Sequence, residues 1–291
     1  MYESGANERR RVRPLTERGD SKAMPSMFNA RDADSYEQMM GRWSRRLAPL
    51  FIEHAGAVAG ERLLEVGCGT GSLTFTLART VAFSELTAID YADVYVAAAR
   101  SQNRDPRIRI EQGDAAALRF PDAHFDRALS LLVLHFVPEP AGAVAEMRRV
   151  TRPGGVVAAA VWDSGGGVTA QRMFWDTAAV LDAVAVNLRG RSMSKAVIAP
   201  GGLARLFSAA GLVDVDERPL LIRMEHADFA DYWEPLLRGE GPMGGYVAGL
   251  GEAERARLER HLRAAYLAGA PDGPRSFAAV AWSCRGVVPR S

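Results

Sequence analysis

The chain has 291 residues, 48% of them hydrophobic and 24% charged, with 36 basic against 35 acidic side chains and a formal net charge of +1. That length suits one large domain carrying an elaboration, and the charge balance leaves no long-range field to steer nucleic acid toward it. No apolar run reaches the ~18 residues of a membrane-spanning helix, so no integral membrane association is expected.

Cys68 and Cys284 make neither a disulfide framework nor a zinc site, and no metal is expected. With no secretory pattern at the N-terminus, they point to the cytoplasm. Residues 1–34 show no hydrophobic period, and the cluster Arg9, Arg10, Arg11 and Arg13 is offset by Glu3, Glu8, Glu17, Asp20 and Asp32. A disordered tail is expected there. Ordered sequence begins at "SYEQMMGRWSRRLAPLFIEHAG".

From that point strand-like and helix-like segments alternate. Strands are expected near residues 62–66, 86–89, 108–111, 127–132 and 155–162, with helices over 72–79, 92–101 and 141–150. Strict alternation of this kind means an α/β fold, a parallel sheet with helices on both faces. "RPGG" at Arg152 to Gly155 reads as a sharp turn between a helix and the next strand. Farther on, residues 212–224 and 276–288 read as two more strands, with an amphipathic helix between them in "LGEAERARLERHLRAAYLAG". The divisions expected are a core over 35–163 and a lid or substrate region, with the final strands, over 164–291.

The chemistry gathers at "ERLLEVGCGTGSLTFTLA", a strand that breaks into Gly67, Gly69 and Gly71 and resumes as a helix. Such a loop lets a ligand approach the backbone and presents helix N-terminal amides to it. Dinucleotide folds space these glycines G-x-G-x-x-G. Here the spacing is G-x-G-x-G, and Glu65 precedes it, an acid that repels phosphate and suits an ammonium group. The next strand ends in Asp90, followed by Tyr91, at the distance where an acid meets a ribose; the one after ends near Asp114, placed to accept from an exocyclic amine. An ammonium site, a ribose site and an adenine site in one crevice describe S-adenosylmethionine.

At this point the sequence resembles the class I S-adenosylmethionine-dependent methyltransferases of the bacterial small-molecule type, over residues 36–161. "LLEVGCGTGSLT", "AIDYADVYVAAAR", "EQGDAAALRFPDAHFD", "ALSLLVLHFVPEP" and "EMRRVTRPGG" follow that family's motifs in order. The resemblance implies a Rossmann-like seven-stranded sheet, mostly parallel with an antiparallel last pair. It implies that Glu65, Gly67, Gly69 and Gly71 surround the methionine part of the cofactor, that Asp90 holds its ribose, and that Asp114 with Ala115 frames its adenine; Tyr91 and Leu131 are further cofactor-binding candidates. "YEQMMGRWS" is similar to a segment ahead of the first motif in such enzymes, where Tyr36 and Arg42 close over the cofactor, Arg42 on its carboxylate. Alternatively Tyr36, Met39, Met40 and Trp43 are only the apolar stripe of a cap helix.

For the methyl acceptor, His135, just past the fourth strand, is the candidate general base, or else a histidine packing a loop. Met40, Trp162, Phe174, Trp175 and Trp233 are candidates for the wall around a small apolar acceptor, and the last three equally for the core of a helical subdomain. Methyl transfer to oxygen or nitrogen of a small molecule is the expected activity. A quinone or lipid headgroup enzyme at a membrane surface, and a non-catalytic cofactor-binding protein, are its rivals.

Overall fold

The computed structural model describes residues 30–290, so the expected tail lies outside the described residues up to position 29. Its last residues depart from the expectation, because Asp32 caps a helix, its carboxylate accepting from the Ser35 amide at 2.8 Å. That helix, α1 (Ala33–Tyr36), runs through one π-helical turn (Glu37–Gly41) into α2 (Arg42–Ala55). Within the turn, Glu37 accepts from the Thr70 hydroxyl and pairs with Arg45, tying the cap to the glycine loop.

Then follow β1 (Arg62–Val66), α3 (Ser72–Thr80), β2 (Glu85–Asp90), α4 (Asp93–Gln102), β3 (Ile108–Gln112), β4 (Phe125–Leu131), α5 (Pro140–Val150) and β5 (Thr151–Trp162). The remainder comprises α6 (Thr169–Leu181), α7 (Ala183–Met193), α8 (Gly202–Ala209), β6 (Val213–His226), α9 (Phe229–Leu237), α10 (Gly241–Ala248), α11 (Glu252–Leu267) and β7 (Arg275–Val287). The strands form one seven-stranded sheet in the order β3-β2-β1-β4-β5-β7-β6. β1 to β5 pair in parallel, and β7 lies antiparallel between β5 and β6.

Both faces of the sheet are covered. Leu63 and Leu129 pack under α2 and α3 with Leu47, Phe51, Leu73 and Leu77. Leu64, Val66 and Ala128 face the other way, against Val144 and Met147 of α5 and Leu203 and Phe207 of α8. Burial on both faces is why the inner strands read as apolar runs rather than alternating patterns. Residues of α6, α9, α10 and α11 form a third apolar cluster beside the sheet.

The "RPGG" segment falls inside β5 rather than in a turn before it. Phe125 pairs with Thr151 and Arg127 with Val156, so the chain bulges opposite Asp126, with Gly154 at φ +76°. Asp126 holds the bulge by accepting from Arg62 N at 2.7 Å and Arg152 Nε at 2.5 Å.

One polar tie resembles a hydrolase triad. His54 Nδ1 lies 2.6 Å from Ser283 Oγ, and its Nε2 lies 3.1 Å from Asp216 Oδ2. Ser283 is wholly buried in β7, where no substrate carbonyl reaches it, so the trio fastens α2 to the sheet.

Candidate functional site

The glycine loop leaves β1 and folds back on β2. Gly67 N and Cys68 N both donate to Ile89 O, at 2.7 and 2.8 Å, and Gly71 N donates to Cys68 O at 2.9 Å. Gly69 N donates to Asp90 Oδ2 at 2.8 Å, and the other carboxylate oxygen accepts from Ala92 N at 2.9 Å. These amides therefore serve the loop itself, while the first turn of α3, capped by Gly71 without a side-chain hydrogen bond, is the helix N-terminus the sequence places there. What glycine supplies is shape: Gly67 has φ +82°, and a Cβ there would overlap the Val133 side chain. A bare backbone thus borders the crevice.

That crevice is a cavity of about 1040 Å³ at the carboxyl ends of β1, β2, β3 and β4. Of the residues expected at the cofactor, Tyr36, Gly67, Gly69, Asp90, Tyr91, Asp114, Ala115 and Leu131 all line it. Asp114 closes a small turn, its Oδ1 accepting from Ala116 N at 2.9 Å. The carboxylate oxygens of Asp90 each retain a lone pair for a hydroxyl, although both already accept from the backbone. Tyr36 packs at a tilt against Tyr95, ring centroids 4.8 Å apart, and its hydroxyl end faces Gly69. Leu132, directly after β4, sits at φ 65°, a left-handed conformation rare for a branched side chain, and it lines the same cavity.

Several expected residues stand elsewhere. Glu65 is 1% exposed and turns beneath the loop, accepting from the Thr74 hydroxyl at 2.5 Å. Burial raises its carboxyl pKa to about 8, against the lowering effect of that hydrogen bond. Gly71, at φ +99°, is the N-cap residue of α3 and does not line the cavity. Arg42 does not face it either: its Nη1 lies 2.7 Å from Asp231 Oδ1, and with Met40 it borders a second, smaller cavity.

His135 is 7% exposed and absent from the walls of both cavities, packed on Phe136 with ring centroids 4.0 Å apart. Burial, helped by the Lys195 charge, pushes its pKa down to about 3. Its burial and its contact with Phe136 fit the packing role better than that of a base. His135→Gln should reduce turnover by less than about tenfold, whereas removal of a general base is worth ~100-fold or more; steady-state kinetics decide. Trp162 is buried in the core between sheet and α2. Phe174, Trp175 and Trp233 belong to the third cluster's interior, with Tyr232 the aromatic neighbour that reaches the smaller cavity.

One residue carried no sequence signal. Glu240, at the N-terminal end of α10, is 0% exposed and accepts from Arg31 N at 3.1 Å, Asp32 N at 3.2 Å and the Tyr95 hydroxyl. Ala30 and Tyr95 both line the large cavity, so this carboxylate ties residues 31 and 32 to α4 at the cavity's edge. Glu240→Ala should speed amide exchange at Arg31 and Asp32 and weaken cofactor binding by about tenfold, the loss typical of hydrogen bonds to a charged group. Unchanged exchange would show that residues 31 and 32 are held without it.

Residues 64–159, which span this loop and crevice, match the family described as methyltransferase domain. The chain is 33% identical over 117 residues to the ubiquinone/menaquinone biosynthesis C-methyltransferase UbiE of Bdellovibrio bacteriovorus, covering 40% of this chain and 48% of that one. It thus spans about half the length of that relative. Over a wider stretch of 224 residues it is 26% identical to the uncharacterized protein Rv1405c of Mycobacterium tuberculosis, covering 76% and 81% of the two chains. In fold it is similar to the YcgJ protein of Bacillus subtilis, with a TM-score of 0.55 at 18% identity, covering 84% of this chain and 99% of that one.

The motif series, the sheet order and the domain match define a Rossmann-like methyltransferase domain. Residues 64–159 thus form a methyltransferase domain of the class I S-adenosylmethionine-dependent type.

Proposed function

We propose that the protein transfers a methyl group from S-adenosylmethionine to an oxygen or nitrogen of a small, largely apolar acceptor. The observation that carries this reading is that Asp90, Asp114, the bare edge of the glycine loop and Tyr36 all line one cavity of about 1040 Å³. The donor set fits the cofactor: carboxylates for ribose and adenine, backbone without side chains for a close approach, and an aromatic cover.

When bound, S-adenosylmethionine supplies an electrophilic methyl on a sulfonium, so the protein's task is alignment and exclusion of water. Asp90 receives ribose hydroxyls, Asp114 the exocyclic amine, and Tyr36 covers the methionine end above Gly69. Glu240 ties residues 31 and 32 to α4 at the cavity's edge. The region beyond residue 163 acts as a lid that shapes the acceptor side.

Calorimetric titration tests the reading, with S-adenosylmethionine and S-adenosylhomocysteine binding in the micromolar range and NAD not at all. Binding of NAD alone would overturn it. Similarity to a quinone-pathway enzyme favours one alternative, an acceptor presented at a membrane surface. Co-sedimentation with liposomes would support that alternative; a non-catalytic protein would bind the cofactor yet give no S-adenosylhomocysteine with any acceptor.

A further inference from the structure

The second cavity has a use that the cofactor reading does not absorb. It lies where the π-helical turn and α2 meet α6, α9 and α10, is about 40 Å³ in volume, and is lined chiefly by Met39, Met40, Trp43, Met224, Tyr232 and Met243. Tyr36, which lines the large cavity, immediately precedes the turn whose Met39 and Met40 line the small one, so a single turn of backbone borders both. β6 runs parallel to β5, each pairing antiparallel with β7, which puts its last residue, His226, beyond the same carboxyl edge as the crevice.

Arg42, His226 and Gln171 stand among these apolar walls, and the first two hold buried nitrogens. His226 is 6% exposed, and neither its Nε2 nor the Nε of Arg42 meets a hydrogen-bond partner among the described residues. Their other nitrogens are committed. Arg42 Nη1 lies 2.7 Å from Asp231 Oδ1, and Arg42 Nη2 lies 3.1 Å from Asp231 O and 3.3 Å from His226 Nδ1. His226 Nδ1 also lies 3.4 Å from Asp231 O, but that carbonyl already accepts from Arg42 Nη2 and a guanidinium only donates, so Nδ1 takes the accepting role toward Arg42 and the imidazole proton belongs on Nε2. Arg42 Nε–H and His226 Nε2–H are thus two donors at one apolar cavity. Buried donors without partners are rare and mark a place where an acceptor belongs.

We propose that this cavity binds the methyl acceptor by an uncharged oxygen, a carbonyl or hydroxyl, at one end of an apolar molecule. Asp231 already neutralises Arg42, and a second carboxylate brought here would be buried without a counter-charge. The small volume takes an end group, and the flexible methionines accommodate the apolar body behind it. Arg42 and His226 orient this end while the nucleophile faces the large cavity.

The inference rests on the methyltransferase reading for its role but is tested by binding alone. Acetophenone, ethylbenzene and benzoate are titrated into the full-length protein saturated with S-adenosylhomocysteine and followed by ligand-observed NMR. Acetophenone should bind about tenfold more tightly than ethylbenzene, and benzoate more weakly than acetophenone, because only the ketone satisfies both donors without adding charge. His226→Phe should shrink the ketone preference toward unity. Arg42→Lys, which keeps the partner for Asp231 but lacks the Nε donor, should shrink it as well and serves if the first variant does not fold.

Equal binding of acetophenone and ethylbenzene, a preference that survives both substitutions, or benzoate as the tightest of the three would overturn the proposal. Failure of S-adenosylhomocysteine itself to bind would instead strike the methyltransferase reading.

Discussion

Asp90→Ala is expected to weaken binding of S-adenosylhomocysteine by about a hundredfold, equivalent to roughly 3 kcal/mol. The carboxylate does two jobs. It accepts from Gly69 N and Ala92 N, fixing the glycine loop against the end of β2, and it lines the cavity where a ribose would sit. Burial raises its pKa, opposed by the amide hydrogen bonds from Ala92 and Gly69, so the folded protein holds this acid where water would otherwise solvate it. Alanine removes the ribose partner and frees the loop together. Asp90→Asn retains one accepting oxygen and should recover part of the affinity. Calorimetry on both variants decides the matter, and an alanine variant within about threefold of wild type would sink the assignment of Asp90 to the ribose.

The sheet was legible because each inner strand is a short apolar run bounded by glycine or an acid, and burial on both faces writes that pattern directly into sequence. The acids at strand ends were legible for a similar reason: Asp90 is the last residue of β2 and Asp114 lies two residues beyond β3, so chain position fixes their place at the carboxyl edge. What escaped depends on contacts far apart in sequence. Arg42 finds Asp231 across 189 positions, and Glu240 is buried only because residues 31 and 32 and Tyr95 converge on it. No local period announces either.

Aromatic composition failed in another way. Phe174, Trp175 and Trp233 have the same chemistry in a pocket wall as in a core, and only the packing of α6, α9, α10 and α11 places them inside. The loop amides escaped because G-x-G-x-G specifies a conformation without saying which carbonyl will accept from it. Here Ile89 O takes two of them.

Glu65 gives the other large expected effect, a dependence of cofactor affinity on pH. Its folded pKa of about 8 stands above the ~4.3 of an unfolded glutamate, so the free protein holds a proton there at neutral pH. Glu65 lies beneath the loop rather than in the cavity wall, so an ammonium group seated above the loop would act on it across the bare glycine backbone; on that reading the ionised carboxylate is favoured and binding at pH 7 should release up to about one proton. Affinity should therefore rise as pH increases toward 8 and level off above it, with calorimetric enthalpies that vary with the ionisation enthalpy of the buffer. Glu65→Gln should bind more weakly at pH 8 and lose both dependences.

The same residue sets a stability trend of opposite sense in the free protein. A carboxyl whose folded pKa is raised contributes stability that is fully present below ~4.3 and is lost as pH climbs through 8, on the order of a few kcal/mol. The glutamine variant should accordingly gain on wild type in Tm between pH 5 and pH 9 without cofactor and lose that advantage when cofactor is saturating. A buffer-independent enthalpy together with parallel Tm profiles would place the ammonium site away from Glu65.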